Sequence, residues 1–123
     1  MHTDKAKFKI EFRGRVVAFT VAILHLGEVL YSKKVLIPVG HQVIRSAGSI
    51  GANVIEAKAA SSKKDYIKFF EIALKSANET QYWLEVIQRF DASIMPPDSP
   101  LIKEADELTR MLSASVLTLK GRR

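Results

Sequence analysis

The sequence predicts an all-α fold, an antiparallel up-down-up-down four-helix bundle. Three observations carry that prediction. Apolar residues recur at spacings of three and four through four segments, near 13–32, 38–59, 63–90 and 99–119. The breaks between them are short and hold Pro38, the Ser61–Ser62 pair and the run Met95–Pro100. Only residues 4–12 alternate with period two, and no second strand-like run exists to pair with them. A chain of 123 residues, 47% of them hydrophobic, suits a single domain over residues 1–123 with a real core. Short connectors make successive helices antiparallel neighbours.

Residues 1–12 read as an N-terminal arm or a helix lead-in, with Lys5, Lys7 and Lys9 set against Ala6, Phe8, Ile10 and Phe12. In the first helix Val16, Phe19, Ile23, Leu26 and Leu30 form one stripe. Val17, Thr20, Leu24 and Gly27 form an adjoining one, so two faces are expected to be covered and His25 to fall in buried surroundings. The nearly uncharged run Val16–Gly27 is shorter than the roughly 20 residues that span a bilayer.

Pro38 suits the first turn of the second helix. Its seams are Val43, Ala47, Ile50 and Val54, and beside them Ile44, Gly48, Gly51 and Ile55. Glycine inside a helix costs about 1 kcal/mol against alanine. Two glycines one turn apart therefore predict close approach of another helix, by analogy with the small-residue faces of membrane helices. A polar row, Arg45, Ser49, Asn53 and Glu56, completes the circumference. It reads either as a solvated face or as a part-buried row paired within the chain or across a subunit boundary.

Ser62 followed by Asp65 resembles a capping box opening the third helix. Its apolar stripe is Tyr66, Phe70, Ala73, Ala77, Leu84 and Ile87, widened by Ile67, Leu74 and Trp83. Ser99 and Pro100 are a good N-cap and first residue for the fourth helix. There Leu101, Ala105, Leu108, Leu112, Val116 and Leu119 keep heptad-like spacing, and a basic tail, 120–123, follows.

Formal charge is +6, and topology concentrates it. The start of the first helix, the turn between the second and third, and the end of the fourth fall at one end of the bundle. Lys5, Lys7, Lys9, Arg13, Arg15, Lys58, Lys63, Lys64, Lys68, Lys120, Arg122 and Arg123 gather there, twelve of the 19 lysines and arginines. Such a pole suits a polyanion, although lysine-rich solvated termini produce the same pattern.

The residues Arg45, Ala47, Ser49, Ile50, Ala52, Asn53, Val54 and Glu56, then Ser62, Asp65, Tyr66, Phe69, Ile72, Ala73, Ser76 and Glu79, resemble a known motif. It is that of the bacterial four-helix-bundle family whose founding members are encoded in intervening sequences of large-subunit ribosomal RNA genes. The accessory variability protein of diversity-generating retroelements is related. The resemblance is strong over residues 43–85 and general elsewhere. Gly51 stands where the family often has proline, and Ala57 where it has glycine. The resemblance implies a closed bundle, a ring-shaped homopentamer, and a basic surface that in the retroelement relatives contacts nucleic acid and a reverse transcriptase.

No catalytic constellation is found. His2, His25 and His41 are scattered, and no Glu-x-x-His pair, H-E-x-x-H or phosphate-binding glycine loop occurs. No arginine precedes a histidine by four to six residues, as in some small helical ribonucleases. Neither cofactor nor metal is expected. The absence of cysteine fits a reducing cytoplasm, and the N-terminus has no apolar stretch of secretory type. The expected protein is a non-enzymatic homo-oligomer that binds nucleic acid, RNA in preference, through Lys5, Lys7, Lys9, Arg13, Arg15, Lys58, Lys63, Lys64, Arg122 and Arg123. The alternative is a protein-interaction scaffold or accessory subunit, for example of a reverse transcriptase.

Overall fold

The computed structural model describes residues 3–121. These form four helices, α1 (Asp4–Tyr31), α2 (Ile37–Glu56), α3 (Lys63–Phe90) and α4 (Pro100–Leu119), with no strand among the described residues. Tight 3-10 turns, Lys34–Leu36 and Ala57–Ala59, flank α2, so α2 itself ends three residues short of its expected limit.

Side-chain caps open three of the helices. Thr3 accepts from the Ala6 N–H at 3.1 Å, Ser62 from the Asp65 N–H at 3.1 Å, and Ser99 from the Leu101 N–H at 3.2 Å. Asp65 reaches back to the Ser61 N–H at 3.4 Å, one residue before the usual place in a capping box. After α3, the Ser93 hydroxyl and N–H, and then Lys33, hold the Asp91 carboxyl below its usual pKa.

The start of α1 decides between the two sequence readings: residues 4–12 are the helix lead-in, forming its first turns, and not a separate arm. Phe12 is buried in the core and Phe8 stacks on it with ring centroids 6.0 Å apart. That anchoring, with the Thr3 cap, overrides the local alternation of charge. Lys120 and Gly121 close α4 in a turn. Arg122 and Arg123 lie outside the described residues.

Side-chain pairs establish the antiparallel order. Val16 faces Gly51 while Gly27 faces Ile44, so α2 returns along α1. Ser49 bonds Ser76 while Ser46 bonds Thr80, so α3 returns along α2. Gln81 bonds Asp106 while Glu71 pairs with Lys120, so α4 returns along α3. Arg15 of α1 reaches Glu104 of α4 and closes the circuit.

The core is one cluster. α1 gives Val16, Phe19, Ile23 and Leu30, α2 gives Val43, Ala47 and Ile50, α3 gives Ala73, Ala77, Leu84 and Ile87, and α4 gives Leu108 and Leu112. Met95, from the α3–α4 connector, plugs it at 1% exposure. All are at periodic positions except Met95, which sits in a break.

The glycine expectation divides. A Cβ on Gly51 would lie 2.9 Å from Val16 Cγ1, so α1 and α2 do approach closely there. A Cβ on Gly48 would meet nothing within 4 Å, so no part of this chain crowds that position. The outer stripe of α1 differs too. Gly27 is buried, but Val17 and Leu24 are about half exposed, and His25 is exposed beside Glu28 at 3.0 Å. Four helices leave that side of α1 with no neighbour.

Gly51→Leu should therefore overpack the α1–α2 contact and lower unfolding stability by about 1–3 kcal/mol. Gly48→Leu should leave the dilute chain as stable as before, or up to about 1 kcal/mol more stable through helix propensity. Urea unfolding of the two variants checks this, and equal losses would contradict it.

Candidate nucleic-acid interface

Register places the basic residues. α1 and α3 each have 28 residues, α2 and α4 each 20, so the first pair is about 12 Å longer. Both long helices begin at the same end. The Val16–Gly51 and Ser49–Ser76 contacts put the end of α2 level with about residue 11 of α1 and residue 69 of α3. About two turns of each long helix thus project past α2 at the basic end. Two helix N-termini, each equivalent to roughly half a positive charge, add to the lysines there.

On α3 the projecting turns carry Lys63, Lys64 and Lys68. With Ser61, Ser62, Ile67 and Lys120 at the end of α4, they line an open groove of about 800 Å³. Lys63 and Lys64 occupy the first two positions of the helix, where a cation opposes the macrodipole by about 0.3–1 kcal/mol each. The acids in the groove are already engaged: Asp65 bonds the Ser61 N–H, and Glu71 pairs with Lys120 at 2.5 Å. An anion entering it meets lysines and free helix N–H groups together. Lys58 is exposed in the 3-10 turn just before the groove.

On α1, Lys5, Lys7, Lys9 and Arg13 are exposed, with Lys7 set 4.0 Å from Glu11. They stand at the same end but do not line the groove. Arg15 leaves the expected set altogether. Its guanidinium grips Glu104 at 3.0 and 2.6 Å and Glu107 at 2.8 Å, and its Nη1 reaches Met111 Sδ at 3.5 Å. The Glu104 hydrogen bonds, above all, raise its pKa further over the ordinary value. Two carboxylates neutralise it, so it ties α1 to α4 rather than meeting phosphate. Lys68 takes its place, whereas Lys120 is held by Glu71.

The motif residues gather elsewhere, along the α2–α3 seam. Arg45 pairs with Glu79, which also accepts from Trp83 Nε1 at 3.1 Å. Ser76 donates to Ser49 at 2.8 Å, and Asn53 donates to the Ser49 hydroxyl at 3.0 Å and its carbonyl at 2.8 Å. The polar row is thus paired within the chain, apart from Glu56, which is exposed and outside the network. Ala47 is buried in the core and Tyr66 stacks on Phe70. Sequence reasoning passed over the inner rung: Thr80 Oγ1 lies 2.9 Å from Ser46 Oγ and 2.8 Å from the Ser76 carbonyl, with Ser46 and Thr80 wholly buried. A single serine and threonine at seam positions carry no periodic signal until the two helices are in register.

Burial ranks these bonds. Thr80→Val should cost about 1–3 kcal/mol, because it removes two buried hydrogen bonds worth about 0.5–1.5 kcal/mol each, although Ser46 keeps its bond to the Val43 carbonyl. Arg45→Ala should cost under about 1 kcal/mol, because the Arg45–Glu79 pair is solvated. Chemical denaturation of the two variants checks the order, and a larger loss from Arg45→Ala would reverse the account.

Comparison with known proteins agrees with this architecture. A family model described as 23S rRNA-intervening sequence protein matches residues 11–114. The chain is also similar to a crystal structure of a protein of unknown function from the S23 ribosomal protein family of Bacteroides thetaiotaomicron VPI-5482. The two are 32% identical, with a TM-score of 0.78 and coverage of 85% of this chain and 97% of that one. Comparison with curated proteins found no match.

Proposed function

The chain belongs to the 23S rRNA-intervening sequence protein family, and on that premise we propose that it is a non-enzymatic, oligomeric helical bundle that binds nucleic acid, RNA in preference, through its basic pole. One observation carries the reading. Two helix N-termini and a groove holding Lys63, Lys64, Lys68 and Lys120 coincide at one end. Lysines at the first turn of α3 work against the helix dipole, so they give up folding stability, and a phosphate in the groove recovers it. The protein acts in the cytoplasm as a homo-oligomer. In a pentameric ring the poles of all copies share one face, and each added lysine–phosphate pair multiplies affinity. Recognition is by backbone and shape, since the pole offers lysines to phosphate and no set of side chains for base edges.

The test is Lys63→Glu with Lys64→Glu in a chain ended after Leu119. Binding to single- and double-stranded RNA, followed by fluorescence anisotropy at low salt, should weaken at least about tenfold, because a phosphate without a lysine partner keeps its counterion. Acids at the start of α3 favour the dipole, so melting temperature should hold or rise, and helical spectrum and oligomer should persist. Unchanged affinity would reject the pole as the interface. A wild type that binds neither RNA nor DNA would reject the nucleic-acid reading and favour the scaffold or accessory-subunit role.

A further inference from the structure

α1 is apolar on two opposite faces, and only one is buried. An 18-residue stretch of it has mean hydropathy 1.4, yet only 33% of that stretch is buried. On the outer face Ile10, Gly14, Val17, Val21 and Leu24 follow at steps of four, three, four and three. Ile10 is 53% exposed, and Val17, Val21 and Leu24 are each 47–49% exposed. No charged residue interrupts the row before Glu28.

We infer that this outer row of α1 is a contact surface for a helix of a second copy of the chain. The inference rests on the oligomeric part of the proposed function and names the surface that assembly uses. The spacing averages 3.5 residues, the period of a seam that receives the side chains of another helix. Gly14 lies in the row, and Gly48 stands open on α2; a Cβ at either would meet nothing within 4 Å. Both therefore offer recesses that a neighbouring backbone can approach. The four exposed side chains present roughly 400 Å² per copy, beyond a scattered patch and about half of what a stable interface buries on each partner.

The competing occupant is a lipid surface. A helix lying in a bilayer interface carries basic residues along its polar flanks. Beyond Arg13 the flanks of α1 instead carry Ala18, Thr20 and His25 and no lysine or arginine. Its cations cluster at one end in Lys5, Lys7, Lys9 and Arg13, with Lys7 in line with the row one turn before Ile10 and Arg13 beside it. A protein helix fits this geometry and a membrane plane does not.

The test is Val17→Glu with Leu24→Glu in the full chain, read by sedimentation velocity and circular dichroism. Both side chains point outward, so the helical spectrum should persist while association weakens by about tenfold or more, as expected for charges placed in an apolar interface. Val21→Cys gives a second reading in a chain without cysteine. Its thiol should react with maleimide much more slowly in the assembled state than on dilution, whereas Lys103→Cys on exposed α4 should react equally in both. An oligomer that survives the double substitution, with Val21→Cys equally reactive in both states, would overturn the surface and leave the oligomer intact. A wild type that stays monomeric at micromolar concentration would overturn oligomer and surface together. Sedimentation of that monomer with anionic vesicles, absent in the double variant, would assign the row to lipid.

Discussion

The register between α2 and α3 governs the rest of the molecule. Ser46 with Thr80 and Ser49 with Ser76 form two rungs of small hydroxyls, one wholly buried and one partly so. Serine and threonine are short enough to let the helices close on one another. Their oxygens satisfy each other where no water enters, and sliding the pair by one turn would strand them. Among the described residues no buried side-chain nitrogen or oxygen lacks a partner, so the native register meets this demand in full. Arg45 and Glu79 extend the ladder to the surface, where solvent weakens it. Fixing α2 against α3, together with the Val16–Gly51 contact of α1 on α2, sets how far the starts of α1 and α3 project at one pole.

That pole shows why charge must be counted in three dimensions. Lys63 and Lys64 look ordinary in the sequence; at the first turn of α3 they oppose a dipole and face a groove. Arg15 looks like their equal and is not, because Glu104 and Glu107 sit across the α1–α4 contact. The two carboxylates are some ninety positions away in the chain, beyond any local pattern. Position, then, separates a cation that holds the fold from one that is free to meet a ligand.

The same limit explains what was legible beforehand. Helices α3 and α4 were readable to within a residue because Ser62, Ser99 and Pro100 mark their starts chemically. The start of α1 was not, because charges alternate through residues 4–12 and only the burial of Phe12 shows that those turns are docked. Periodicity found both apolar stripes of α1 but not which one the chain covers. It found Gly48 and Gly51 but not that one faces Val16 and the other faces open space. Each miss concerns a neighbour supplied by another helix, which a single helix's spacing cannot contain.

The central claim is that the pole binds nucleic acid electrostatically, and the salt dependence of RNA affinity tests it most directly. Lys63, Lys64 and Lys68 engaged on phosphates predict that the logarithm of affinity falls with the logarithm of salt at a slope of about −2 or steeper for a single strand. A slope near zero between about 50 and 200 mM salt, at measurable affinity, would contradict it.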